Sequence, residues 1–265
     1  MRTQYRRIRV RKRRRGWLAA LCIAAALLGV YRLAQSRAQP LKLTMPAAQT
    51  ESTVRTYTLE GMRWYALKLG TCEDAAQALD MAQAFQKRGA AGYVDSLHQV
   101  LAAAYDTRES ALLVQQNLLK YHGVETVVQE LFSPSVTVEM EGTESRTQAL
   151  CEGYDLLHAM AGEMYRLSLQ LDKGETDAPA AKERLLSYRR TARALCVTLT
   201  AAFGGDTLPD QALHVHTLLT DFADVMQRGI DAESPVLLGG MVKYAQILCI
   251  AGLQAHKDQY LISSP

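Results

Sequence analysis

The chain begins with an abrupt change from charged to apolar residues. Nine of the first fifteen residues are arginine or lysine, and none of the next fifteen is charged. A basic block favours the cytoplasmic side of a bilayer, and the apolar run, extended past Arg32 by Leu33 and Ala34, approaches the length that spans one. The pattern predicts a basic cytoplasmic tail at residues 1–15 and one transmembrane helix at residues 16–35.

A secretory signal peptide is the alternative interpretation of this segment. It has a similar basic head and short apolar body, and Ala34-Gln35-Ser36 is compatible with a cleavage site. Because Arg32 lies between the apolar body and that site, we favour an uncleaved anchor. Both interpretations export the same remainder, so we expect a single-pass cell-membrane protein with a cytoplasmic N-terminus and extracytoplasmic domains.

Strand and helix patterns alternate in the first exported block. Residues 36–56 contain Pro40 and Pro46 without a hydrophobic period, which predicts a linker. Predicted strands then cover residues 62–69, 93–97, 98–104 and 124–131, and predicted helices cover residues 73–88 and 108–121. The order is βαββαβ, which predicts an α+β domain at residues 57–132 with both helices on one face of a four-stranded sheet. The other face is expected to be open.

A helical block follows a second predicted linker at residues 133–145. Helices are predicted at about 144–172, 178–203, 208–229 and 234–260, each ended by glycine or preceded by proline. Apolar residues recur at alternating spacings of three and four, which favours an antiparallel four-helix bundle at residues 146–262. The fourth helix is apolar nearly all round except at Lys243 and Gln246, so we expect it in the centre of the bundle; a membrane hairpin is the alternative.

Net charge excludes one class of partner. Residues 1–37 carry 11 of the 30 basic residues and no acidic residue, so the remainder has 19 basic against 27 acidic residues, a net charge of −8. An acidic exported part is not suited to binding polyanions, and no nucleic-acid partner is expected.

Few residues in the sequence indicate catalysis, metal binding or disulfide formation. Of the five cysteines, four lie far apart outside the membrane segment with no CxxC motif, which is typical of small buried hydrophobic residues; a bridge from Cys196 to Cys151 or Cys249 is left open. No Glu-x-x-His occurs, and His214 and His216 are two apart on a helix, so they diverge. We therefore expect no catalytic residue, no metal site and no cofactor.

The first block repeats internally. Gly70-Thr71-Cys72-Glu73-Asp74 leads into one helix, and residues 103–107, AAYDT, lead into the other after a shift of 33 residues. With the aromatic strand Trp64-Tyr65-Ala66-Leu67-Lys68-Leu69, this pattern resembles the SPOR (sporulation-related repeat) family over residues 57–131. The resemblance implies a ferredoxin-like domain without catalytic activity. It also implies binding of septal peptidoglycan, through glycan strands stripped of their stem peptides, in cell division or sporulation.

Strand alternation selects the candidate glycan site. Trp64 and Lys68 are expected on the open face of the sheet, with Gln99 beside them on a neighbouring strand. An indole can lie against a sugar ring, while lysine and glutamine hydrogen-bond its hydroxyls and amides. The other side of the first strand is expected to pack on the helices through Tyr65, Leu67 and Leu69. Alternatively, Trp64 covers the sheet edge or packs against the second domain.

The sequence is compatible with two functions. The leading one is a non-catalytic bitopic membrane protein that binds septal glycan strands, with the bundle recruiting a divisome or sporulation protein. The alternative is a structural or assembly protein that uses the sheet domain and the bundle for protein contacts without glycan binding. The residues at which the chain departs from the family signature, Cys72, Leu101 and Ala103, favour this alternative.

Overall fold

A computed structural model describes residues 52–204 and 207–262. The predicted tail, anchor and most of the first linker lie outside these residues. The described residues form six strands and six α-helices. The strands are β1 Thr53–Leu59, β2 Met62–Thr71, β3 Tyr93–Val94, β4 Gln99–Tyr105, β5 Val127–Ser133 and β6 Val136–Gly142. The helices are α1 Ala75–Gln86, α2 Arg108–His122, α3 Glu144–Asp172, α4 Ala178–Ala202, α5 Asp210–Ile230 and α6 Pro235–Lys257, which a π-helical turn, Asp258–Ile262, follows.

The main sheet is antiparallel, with the order β3-β4-β2-β5. β2 is central: Leu67 lies opposite Ala103 of β4 on one side and opposite Val128 of β5 on the other. The predicted βαββαβ order is confirmed, and α1 and α2 pack on the face that carries Leu67.

The strand predicted at residues 93–97 is shorter in the structure. β3 has two residues because the chain turns at Asp95, whose carboxylate Oδ1 accepts hydrogen bonds from the backbone N–H of Leu97 and of Gln99. The next strand, predicted from residue 98, begins at Gln99 instead, because His98 adopts a positive φ of 57°, which is incompatible with an extended strand.

Both predicted linkers are partly wrong, because the end of the first and the middle of the second form a second sheet. β1 pairs antiparallel with β6 from Thr53 opposite Gly142 to Leu59 opposite Val136. Along β6, every second residue is half-buried, and Val138 and Met140 pack against the main core. A period of two is typical of a half-buried strand. The turn residues around this segment nevertheless led to its prediction as a linker.

The four-helix bundle is confirmed. The ends of α3 to α6 lie within a few residues of the predicted ones, and neighbouring helices are joined by short connections, so they run antiparallel. The fully buried side chains of the bundle include Leu157, Leu185, Phe222 and Val242. All cysteines in the described part of the chain are free, so neither of the two possible bridges forms.

The bundle and the sheet share one hydrophobic core, and residues 51–265 form one compact unit. The expectation of an open sheet face is therefore wrong. Helix α6 crosses the face opposite α1 and α2, where its residues join one buried cluster with those of the strands. That cluster includes Met62, Ala66, Leu101 and Leu131 of the sheet and Leu238, Val242 and Ile250 of α6.

This position explains the composition of α6. Among the described residues, the segment Pro235–Tyr260 is long and apolar enough to cross a membrane, but 67% of an apolar 18-residue window within it is buried inside the protein. A helix covered by the bundle on one side and by the sheet on the other needs apolar residues nearly all round. It is a core helix, as predicted, but it lies between the bundle and the sheet and not in the centre of the bundle.

Candidate functional site

The indole of Trp64 is held between the sheet and the bundle. It is half-buried, and Tyr165 of α3 meets it edge to face, with ring centroids 5.4 Å apart and planes at 74°. Tyr165 is itself fixed, because its hydroxyl donates to Asp106 Oδ1 at 2.8 Å and its ring contacts Tyr105. The alternative for Trp64, packing against the second domain, is confirmed.

The other two predicted residues do not join Trp64 in one site. Lys68 lies at an irregularity of β2, and Gln99 is opposite Thr71 at the far end of that strand. Seven residues of strand separate Trp64 from Thr71, roughly 20 Å. The Gln99 Oε1 atom is buried without a hydrogen-bond partner among the described residues. The structure therefore does not assemble the predicted glycan platform.

The polar residues that interrupt α6 bond to the backbone of the sheet domain. The Gln246 side chain is completely buried and donates from Nε2 to the carbonyl of Ala104 in β4 at 3.1 Å. Lys243 Nζ lies 2.9 Å from Asp172 Oδ1 and 3.4 Å from the carbonyl of Gly89. These contacts fix α6 across the sheet.

Lys257 ends α6 in the same way. Its residue surface is 1% exposed, and its ammonium donates to the carbonyls of Glu60 at 2.6 Å and Pro134 at 3.1 Å. Burial lowers the pKa of Lys257, and the nearby charges of Glu60 and Asp258 oppose that shift. One side chain thus joins the β1–β2 turn to the β5–β6 turn.

A buried polar network inside the bundle was not predicted. His256 is fully buried, with Nε2 2.7 Å from the Tyr154 hydroxyl and Nδ1 2.8 Å from His214 Nδ1. Burial, followed by the neighbouring His214, lowers the pKa of His256 to about 4, and burial also lowers the pKa of His214. The two histidines are 42 residues apart in the chain, and no spacing rule connects positions on different helices.

The network does not form a metal centre within the described residues. No group of three histidine, cysteine, aspartate or glutamate side chains in that part of the chain could hold a metal ion. His256 is neutral near pH 7 and has no exposed surface. His256 therefore belongs to a buried hydrogen-bond network. That network helps to fix how α3, α5 and α6 pack against one another.

The helix-covered face of the sheet contains an open cleft of about 270 Å³. This α1–α2 cleft has Leu67 and Ala102 at its floor and Phe85, Val114 and Leu118 on its walls. Leu67 and Leu69, which line the cleft, were predicted to pack on the helices. Periodicity shows which side of a strand faces the helices but not how closely two helices approach.

The fold and its contacts define an α+β protein whose C-terminal bundle seals one face of its sheet. No protein-family model, no curated protein and no solved structure matches this chain.

The covered position of Trp64 leads to a stability prediction. We expect Trp64→Ala to lower the free energy of unfolding of the 51–265 unit by about 2 kcal/mol, because it removes a half-buried aromatic side chain from the interface. Urea denaturation measures this, and Phe132→Ala, at a 47% exposed side chain, is the control with a smaller effect. Equal small losses in both variants would mean that Trp64 is not packed.

The histidine network predicts acid sensitivity. The pKa of His256 is lower in the folded chain than the ordinary value of 6.5. The unfolded chain therefore takes up the proton first, and stability is lost as pH falls from about 6.5 towards about 4. A shift of this size corresponds to at most roughly 3 kcal/mol.

We expect the stability difference between pH 7 and pH 4.5 to shrink in His256→Gln relative to the native chain, measured by urea denaturation at both values. His122→Gln, at an exposed position on α2, should keep the native difference. An unchanged difference in His256→Gln would assign the acid sensitivity to other groups.

Proposed function

We propose that this protein is a membrane-anchored, extracytoplasmic assembly protein that acts through protein contacts and catalyses no reaction. The observation that carries the proposal is the covered sheet face: α6 and Tyr165 of α3 occupy the surface on which the SPOR resemblance implies glycan binding. The βαββαβ order is compatible with a diverged ferredoxin-like SPOR domain, but a covered face favours the alternative to glycan binding.

A different surface is available for a partner. Of the residues of α2, all of which the structure describes, Ala111 is the one that is fully buried. Three large side chains of this helix are exposed, Leu113 at 60%, Leu119 at 54% and Tyr121 at 66%. A concentration of exposed apolar side chains on one helix favours a protein contact.

The membrane part of the proposal depends on the sequence. The basic block at residues 1–15 and the apolar run after it support a single anchor with the N-terminus in the cytoplasm. The mildly acidic remainder then lies on the outer side of the membrane, tethered by the linker. The proposal applies equally to a protein of cell division and to one of sporulation.

Site-specific crosslinking in cells tests the assembly function. A photoreactive amino acid at Leu119 should give a discrete adduct of higher mass, and Leu113→Glu should remove that adduct because it places a charge in the contact. The same photoreactive residue at Val197, 70% exposed on α4, is the matched control and should give no such adduct.

Co-sedimentation separates the two hypotheses. The full chain in detergent should stay in the supernatant when amidase-treated peptidoglycan is pelleted. Retention in the pellet that glycan fragments reverse, together with no adduct at Leu119, would contradict the proposal and restore glycan binding.

A further inference from the structure

The α1–α2 cleft exposes apolar surface that the fold itself leaves uncovered. Leu67 and Ala102 form a buried floor, while Phe85, Val114 and Leu118 on the walls are only half-buried. Apolar walls around a concave space are the usual lining of ligand sites. The volume of about 270 Å³ lies just below the range typical of drug-sized ligands, so the space suits a smaller molecule.

The rim of the cleft is positively charged. The Arg88 guanidinium carbon lies 5.2 Å from the centre of the Phe85 ring, and Arg88 forms no ion pair with any described residue. The carboxylate of Asp172 also lines the cleft, but the ammonium of Lys243 neutralises it at 2.9 Å. Arg88 therefore provides the uncompensated charge at this rim.

Charge and shape together restrict the class of ligand. Arg88, which follows the end of α1, and His122, which ends α2, both line the cleft. Helix C-terminal ends offer no free N–H groups to an anion, so a side chain must hold the negative charge, and one arginine balances one negative charge rather than the two of a phosphate group. One arginine above an apolar floor matches a single carboxylate attached to an aliphatic chain.

We propose that the α1–α2 cleft binds a medium-chain carboxylic acid. The aliphatic chain lies on Leu67 and Ala102 between Phe85 and Leu118, and the carboxylate pairs with Arg88. Neither Leu113 nor Leu119 of α2 lines this cleft, so the site stands or falls independently of the assembly function.

Methyl NMR on the full chain in lipid nanodiscs tests this site. With leucine and valine methyl groups labelled, octanoate should shift the signals of Leu67, Leu69, Val114 and Leu118 selectively. Octanoate should bind about fivefold more tightly than 1-octanol, which has the same chain without the charge. Acetate, which has the charge without the chain, should cause no shift.

Substitutions at the rim separate a charged site from non-specific adsorption. Arg88→Gln should weaken octanoate binding about fivefold and leave octanol binding unchanged. Arg108→Gln, at an exposed arginine that does not line the cleft, should change neither. Because Arg88 is exposed, its replacement does not threaten the fold.

Three outcomes would overturn the proposal. The first is equal affinity of the native chain for octanoate and octanol. The second is a set of shifts spread over methyl groups outside the cleft. The third is binding of N-acetyl-leucine as tightly as octanoate, which would assign the cleft to the end of a peptide.

Discussion

Gly240→Ala is expected to lower the free energy of unfolding of the 51–265 unit by about 2 kcal/mol. A Cβ atom at Gly240 would lie 2.8 Å from the backbone carbonyl oxygen of Ala90, closer than carbon and oxygen tolerate. Gly240 is where the backbone of α6 passes over the turn after α1. One methyl group there pushes the helix away from the sheet.

The turn cannot move aside cheaply. The next residue, Ala91, donates its backbone N–H to the carbonyl of Ala102 in β4 at 2.6 Å, and Gln86 donates its side-chain amide to the carbonyl of Ala91 at 2.9 Å. Gly92 has a φ of +59° and an equally crowded environment. The clash must therefore be relieved by displacing α6.

The adjacent glycine supplies the matched control. Gly239 lies in the same helix turn, and a Cβ added there meets no atom within 4 Å. Gly239→Ala should raise stability by up to about 1 kcal/mol, the ordinary gain from replacing glycine in a helix. Urea denaturation of both variants should separate them by about 3 kcal/mol, and equal stabilities would mean that α6 does not pack on the turn.

Lys257→Met should have the second large effect, a loss of about 2–3 kcal/mol. Methionine keeps most of the side-chain length but removes the donor for the carbonyls of Glu60 and Pro134, which lie in two different turns. Hydrogen bonds from charged donors contribute about 1.5–3 kcal/mol each. Relief from burying the ammonium, the same burial that lowers its pKa, offsets part of that loss.

Hydrogen exchange locates this loss. In Lys257→Met, the amide protons of the β1–β6 ladder should exchange faster, because the two turns at one end of that small sheet, after Leu59 and before Val136, lose their common anchor. Lys243→Met is the control: its ion pair with Asp172 is partly exposed, so the cost should be about 1 kcal/mol or less. Unchanged protection of β1 and β6 in Lys257→Met would contradict the role given to Lys257.

Helix positions could be predicted because their signals are local. Ser234 caps α6 through a hydrogen bond from the N–H of Leu237, and Asp177 caps α4 through one from the N–H of Ala180. Both residues immediately precede a proline-containing first turn. Apolar spacing, caps and stops within a few residues of each other are sufficient to place a helix.

The candidate site was predicted less well, because it depends on contacts between distant segments. Alternation correctly separated Trp64 from Leu67 on the two sides of β2, but it did not show what lies against either side. Trp64 meets Tyr165 across about a hundred residues of chain, and the pairing of His214 with His256 joins two different helices.

The sequence by itself determined the βαββαβ order of the main sheet domain and the positions of the four bundle helices, because periodicity and end signals act over a few residues. Only the tertiary structure decided that β6 pairs with β1, that α6 covers the sheet, and that the open space lies between α1 and α2. Those outcomes depend on which apolar faces meet. Several faces of similar hydrophobicity could have met, and backbone fit at Gly240 together with the bonds of Gln246 and Lys257 favours the arrangement that forms.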